Sequence, residues 1–397
     1  MSVYLNNAAT SWPKPEPVTG AVLDFLTNGG ANLARGSSGK RDVGAMSLVL
    51  DCRIKVALLL GGYGKDPNLV TFCPNVTGAL NTVLKGFFDH KMKSGRKVRF
   101  ITTSMEHNAL ARPLCALESR GAELVVLPCS TTGALDASAL DAALSANAAG
   151  NKMRGFDDMV VLSHASNVCG TVQPLEDIAA VTRRRRAPLV VDSAQTAGVI
   201  PIDAASLGLA ALCFTGHKAL MGPQGTGGVL WSPDFALEVS PLTEGGTGSF
   251  SHLLTQPPVL PDKFESGTPN LPGIAGLSAA LSWLAATGID NIASRERELG
   301  EFFLARLRRA RGVTLYGLPD MSENRLSVFA FNVSARDNGI LAGRLADAGF
   351  DTRPGLHCAP LAHRTLGSFP EGSLRVSIGY FNTKDEIEAF WDCLEGI

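Results

Sequence analysis

Two neighbouring stretches decide the fold: "PLVVDSAQTAG" (residues 188–198) and "ALCFTGHKALMGPQGTGG" (211–228). Each opens on a short apolar run and ends on polar groups, Asp192 in the first and Thr215, His217 and Lys218 in the second. Runs that are apolar on both faces read as strands of a parallel sheet covered by helices on either side. The glycines after Lys218 raise the question of a phosphate loop. "GPQGTGG" precedes a strand instead of joining a strand to a helix, and it lacks the Gly-Lys-Ser/Thr ending. Nucleotide readings fail on that context.

The same texture extends outward. Strands are expected at 69–73, 97–102, 123–128, 159–163, 188–192, 211–215 and 228–232, with helical patterns at 77–87, 107–120, 136–147 and 174–184. An amphipathic stretch at 43–60 precedes them. This βα alternation predicts an α/β fold with a mostly parallel, doubly wound sheet and ligands at the carboxyl ends of its strands. The large domain is expected at 15–255. "QPPVLPDKFESGTPNLPG" (256–273) then reads as an extended, ordered connection, because five prolines in eighteen residues stiffen it. A long helical pattern (273–312), the strands "VTLYG", "SVFAFNV" and "SLRVSIG", and a helix near 338–349 predict a smaller α+β domain of residues 1–14 and 256–397.

Composition narrows the function classes. The chain has 397 residues, 45 % hydrophobic and 18 % charged, with a net charge of −1. That balance advertises neither nucleic acid nor an anionic membrane as a partner. Arg183 to Arg186 close a predicted helix, where they suit its C-terminal dipole and solvent. No membrane span or leader pattern is visible, and the cysteines show neither Cys-x-x-Cys pairs nor zinc spacing, so a cytoplasmic location with reduced thiols and no metal is expected.

The strand ends carry the chemistry. Asp192 is a carboxylate that is costly to bury without a partner. A lysine on the adjacent strand end, facing the same crevice, suits pyridoxal phosphate, with lysine joining the aldehyde and aspartate keeping the ring nitrogen protonated. "CPNVTGALNTVL" (73–84) follows a strand and opens a helix. There Thr77 and the N–H groups of Gly78 and Ala79 would meet the phosphate, with Thr215 and His217 adding donors. Cys358, in "RPGLHCAPL", falls in an irregular loop where Arg353 and His357 would favour its thiolate.

Together "NNAATSWPKPEPV", "MEHNA", "SHASNVCGT", "VDSAQTAGVIPID", "GHKALMGPQGTGG", "EGGTGS", "FESGTPN", "GLHCAPLAH" and "RVSIGYFNT" resemble the cysteine desulfurases of the class V aminotransferase fold, selenocysteine lyase-like members included. The resemblance covers nearly the whole chain and implies a pyridoxal-phosphate-dependent transferase (aspartate aminotransferase-like) fold. It implies Lys218 as the Schiff-base lysine, Asp192 on the ring nitrogen, Gln195 on the ring hydroxyl and His107 stacked on the ring. Thr77, Thr215 and His217 would hold the phosphate, with Thr247 reaching across from a second subunit. Asn167 and Arg375 would bind the substrate carboxylate. Cys358 would take sulfur from cysteine as a persulfide, leaving alanine. The short interval from Cys358 to Arg375 resembles the compact-loop group, which hands sulfur to an acceptor protein. The family is homodimeric.

Three departures stand out. Asn6 replaces the usual aspartate of Leu-Asp-Asn-Ala-Ala, "NLARGSSGKR" (32–41) lacks a histidine, and Gly78 stands where an acidic residue is frequent. Alternatives to a desulfurase are a selenocysteine lyase releasing selenide and alanine, a related lyase or aminotransferase of this fold, and a cofactor-binding sulfur-carrier scaffold without turnover.

Overall fold

The computed structural model describes residues 2–33, 38–150, 156–322 and 324–396. Its large sheet runs, in spatial order, Val70–Cys73, Gly227–Trp231, Ala211–Thr215, Leu189–Asp192, Phe156–Ser163, Lys97–Thr103 and Glu123–Leu127. All seven coincide with predicted strands to within a few residues. Only Gly227–Trp231 runs antiparallel to its neighbours; the other pairings are parallel.

The two-residue strand period explains the layers. Leu189, Val191, Leu212 and Phe214 enter one apolar cluster, while Val190, Ala211 and Cys213 enter the other. Helices Val76–Lys93 and Asn108–Glu118 cover the second face, contributing Leu84, Phe87 and Leu114. Helices Lys40–Leu59, Leu175–Arg185 and Leu271–Thr287 contribute to the first. The arginine run closes Leu175–Arg185 as expected, and Arg184 and Arg185 also bond Asp141.

The long helical pattern at 273–312 is two helices, Leu271–Thr287 and Ile289–Leu307, bent by 79°. Gly288 makes the corner with φ 85° and ψ 129°, a conformation side-chain-bearing residues avoid. Packing divides the pair: Leu277, Leu281 and Leu284 join the large-sheet cluster, whereas Leu299, Phe303 and Leu304 join the small one. We therefore propose that the two units divide within Ile289–Leu307 rather than at residue 255. The proline-rich connection is tied down as expected. Glu265 accepts from Arg53 Nη2 (2.5 Å) and the Phe72 N–H (2.6 Å), and Phe264 stacks on Trp231 at 4.4 Å.

The smaller sheet is antiparallel, in the order Arg353–Gly355, Ser373–Ser377, Val328–Val333 and Val313–Tyr316. Val3–Tyr4 pairs with Phe350–Asp351, which brings the start of the chain to this side. Among the described residues no single helix is long and apolar enough to cross a membrane.

Candidate active site

Asp192 ends its strand buried, with Oδ1 accepting the Ala194 N–H at 2.9 Å. Burial raises its pKa; the Ala194 hydrogen bond and the Lys218 charge oppose the rise without reversing it. Lys218 stands three residues past the carboxyl end of the adjacent strand Ala211–Thr215. Burial lowers its amine to about 8; Asp192 and Cys358 oppose this, while Arg375 and Arg353 reinforce it. About a tenth of an amine with that pKa is neutral, and so nucleophilic, at pH 7, far more than for an ordinary lysine. The turn holding it is braced from afar. The His217 carbonyl accepts from the Ser11 N–H (3.0 Å), Thr10 Oγ1 (3.0 Å) and Lys14 Nζ (2.8 Å). Gln195 reaches the same N-terminal segment, donating to the Ala8 carbonyl at 3.0 Å.

His107 caps helix Asn108–Glu118 by accepting the Ala109 N–H on Nδ1 at 3.0 Å. Burial lowers it to about 4, with Lys218, Arg353, Arg375 and Arg112 reinforcing the effect. The ring is therefore neutral and carries its proton on Nε2. Glu106, fully buried beside it, accepts from Thr103 Oγ1 (2.5 Å) and from the N–H (2.9 Å) and hydroxyl (2.8 Å) of Ser163. No local sequence pattern marks it.

The phosphate reading needs one correction. Asn75 caps helix Val76–Lys93, taking the Gly78 N–H on its side chain (3.0 Å) and the Ala79 N–H on its carbonyl (3.1 Å). Those two donors are already engaged, which leaves exposed Thr77 and the first helical N–H groups. Thr215 is buried with its hydroxyl 3.4 Å from the Thr226 carbonyl. His217 Nδ1 is buried without a partner. Thr247 bonds within its own loop, to Ser249, and no described contact joins it to this crevice.

The small sheet supplies the opposite wall. Arg375 is 1 % exposed, donating Nη1 to the Asn167 carbonyl (2.8 Å) and Nη2 to Asn6 Oδ1 (2.7 Å), while its Nε has no partner. Burial, then the nearby Arg353, lowers it to about 9. Asn6, noted above only as a departure, is thus a direct partner of the expected carboxylate binder. Asn167 also donates Nδ2 to the His357 carbonyl at 2.8 Å, so its amide fastens the cysteine loop.

Cys358 is exposed in that loop, with Arg353 Nη2 3.9 Å from its sulfur. The expected help from His357 does not materialise. Its ring nitrogens face His363 and the Arg353 carbonyl, and burial lowers it to about 3, so it offers the thiol no charge. A cavity of about 40 Å³ lies against Lys218, lined by Asn7, Gln195, Glu296 and Ser377 among others. A larger one, about 510 Å³, is lined by Phe25, Arg41, Lys55 and Ala275 and by none of the candidate residues. Of the departing loop 32–41, residues 34–37 lie outside the described residues.

Comparison with known proteins agrees with this geometry. A family model described as Aminotransferase class-V matches residues 3–390. A Methanothermobacter thermautotrophicus protein named "Probable cysteine desulfurase" is 31 % identical over 407 residues, covering 100 % of this chain and 94 % of the relative. A cysteine desulfurase of Shigella sonnei is 32 % identical, covering 97 % and 90 %. The apo structure of cysteine desulfurase from Thermococcus onnurineus superposes with a TM-score of 0.88 at 26 % identity, covering 100 % and 95 % of the two chains. The Escherichia coli cysteine desulfurase CsdA, in an S-sulfonic acid form, gives 0.85 at 27 %, covering 100 % and 94 %. The expected family and fold are borne out: the chain belongs to the class V aminotransferase family.

Proposed function

We propose that this protein is a pyridoxal-phosphate-dependent cysteine desulfurase that moves sulfur from L-cysteine onto Cys358 and releases L-alanine. The observation that carries the reading is the placement of an exposed thiol, fixed by the Asn108 N–H on the Cys358 carbonyl (2.7 Å), opposite the Lys218–Asp192 crevice.

The residues fit the cofactor. A buried carboxylate with no cation in ion-pair contact among the described residues suits a protonated ring nitrogen. The Lys218 amine suits an aldehyde, and the unpartnered His217 Nδ1 suits a phosphate oxygen. Asp192, Gln195, Thr215, His217, Thr77 and Lys218 would hold it, with the neutral His107 ring against its face. When bound, pyridoxal phosphate supplies an electron sink that acidifies the substrate Cα–H.

The chain's own groups then divide the work. Arg375, assisted by Arg353, holds the substrate carboxylate, its charge free because both guanidinium contacts are to neutral oxygens. Lys218 Nζ moves the Cα proton. The Cys358 thiolate attacks the substrate sulfur. The C–S bond breaks, its electron pair stays with the carbon fragment, and that fragment leaves as alanine after protonation. The persulfide passes to an acceptor thiol, small or protein-borne.

Cys358→Ala tests this assignment. The variant should bind cofactor and substrate yet form almost no alanine from cysteine, because the C–S bond needs a nucleophile. Selenocysteine turnover should persist in measurable share, since a selenol is more acidic and the C–Se bond weaker. Wild-type protein given cysteine without reductant should carry one added sulfur on the Cys358 peptide by mass spectrometry. Alanine formed from cysteine at the wild-type rate by the variant would overturn the assignment.

A further inference from the structure

The loop bearing Cys358 is held in an unfavourable conformation. His357 has φ 50° and Cys358 φ 57°, two successive side-chain-bearing residues in the left-handed region. Residues that carry a Cβ disfavour that region, so surrounding contacts must hold the loop in place. Behind it lies a hydrogen-bond chain that no motif announced. His357 Nε2 lies 3.0 Å from the Arg353 carbonyl, His357 Nδ1 lies 3.1 Å from His363 Nε2, and His363 Nδ1 lies 2.7 Å from Ser368 Oγ.

The direction of this chain follows from its ends. A carbonyl only accepts, so His357 carries its proton on Nε2. Both rings are buried, which holds each neutral, and Arg375 acts in the same sense. His357 Nδ1 is then bare and accepts from His363 Nε2–H, and the bare His363 Nδ1 accepts the Ser368 hydroxyl. One arrangement satisfies every atom: Ser368 to His363 to His357 to the Arg353 carbonyl. The His363 carbonyl closes the ring by accepting the Ser368 N–H at 2.9 Å. The chain fastens the loop from behind, while Asn167 and the Asn108 N–H fasten the His357 and Cys358 carbonyls.

We propose that Ser368, His363 and His357 form a directional donor chain that holds the cysteine loop in its left-handed conformation, making His363 a positioning residue for the sulfur-accepting thiol. The inference rests on the desulfurase reading. His363→Leu removes the donor to His357 Nδ1. His363→Gln keeps an N–H donor at a similar reach. Without the chain the loop relaxes toward ordinary φ values and carries the thiol out of line.

The holoenzyme test compares two substrates and one direct probe of the loop. In His363→Leu, kcat for cysteine should fall about tenfold or more, the loss expected when a reacting group is misplaced by an ångström or so. KM should hold within twofold, because Arg375 still binds the carboxylate. Selenocysteine turnover should retain the level it has in Cys358→Ala or better. Hydrogen exchange should quicken in peptides covering 353–368 and 107–109 and not elsewhere. His363→Gln should restore most of the cysteine rate, and Ser368→Ala, which frees the tautomers, should show a smaller loss with the same pattern. If His363→Leu does not fold, Ser368→Ala carries the test. Unchanged cysteine turnover in an active background overturns this inference alone, as does loss of both substrates below the Cys358→Ala level. Wild-type protein that makes no alanine from cysteine overturns the functional reading and the inference together.

Discussion

Arg375 shows how a single neighbour tunes a buried cation. Its two contacts are to an amide oxygen and a backbone carbonyl, and its Nε is unsatisfied, so no carboxylate within the described chain competes with an incoming one. A carboxylate at position 6 would form an ion pair with Nη2 and would have to share that guanidinium with substrate. Asn6→Asp should therefore raise KM for cysteine about tenfold, a 1.4 kcal/mol competition, with kcat within a factor of three. Steady-state kinetics on alanine release checks it, and an unchanged KM would show that Arg375 does not hold the carboxylate. Lys218, Asp192 and Cys358 were legible in the sequence because each sits in a local motif whose chemistry is its own. Asn6 and His363 were not, because their roles lie in contacts. Asn6 meets an arginine 369 positions away, and the loop's histidines matter only once both ring tautomers are fixed. His357 was legible as a neighbour of the thiol but misjudged in kind, since burial takes away the charge that proximity promised.

Helix Lys40–Leu59 carries more apolar surface than its own fold uses. Ala45, Val49, Cys52 and Val56 face the core. Leu50, Ile54 and Leu58, spaced by four, stand 48 %, 39 % and 52 % exposed on another face, with Leu23 and Leu26 exposed at 61 % and 63 % on the preceding segment. A stripe of that kind marks an interaction surface, and we propose that a second copy of the chain covers it. Ile54→Glu combined with Leu58→Glu should convert a dimer to monomer in sedimentation velocity while leaving the far-ultraviolet spectrum intact. A monomeric wild type, or a variant that still dimerises, would sink the proposal. The strands were legible to within a few residues, since a sheet buried on both faces writes continuous apolar runs. The bend at Gly288 was not, because the apolar pattern continues across it into a second core and one glycine is its only trace.

At the scale of the whole molecule, the histidines make stability depend on pH. His107, His164, His217 and His363 are held at about 4 and His357 at about 3, in each case by burial first. An unfolded chain would protonate them near 6.5. Between pH 6.5 and 4 the unfolded state therefore binds more protons than the folded one at these positions, and acidification favours unfolding. Their contribution is fully present above pH 6.5 and is lost progressively down to the folded values. Buried Glu106 and Glu296 act in the opposite sense. Raised to about 7 and about 8, they hold protons in the folded state that an unfolded chain would release above pH 4.5 or so. Asp192, also raised, joins them. The five histidines outweigh Glu106 and Glu296 on acidification from pH 6.5 to 5, and above pH 7 the histidine effect fades while Glu296 still disfavours the folded state. The melting temperature should peak between about pH 6.5 and 7 and fall by several degrees at pH 5, as expected where the unfolded state holds the proton excess. Differential scanning calorimetry across pH 5 to 8 at constant ionic strength reads this directly. Replacing buried His164, which bonds Thr196 Oγ1 at 3.0 Å, by Gln should flatten the acid limb by about one proton's slope. A profile that is flat from pH 7 to 5, or that rises toward acid, would show that these imidazoles are not held neutral by the fold.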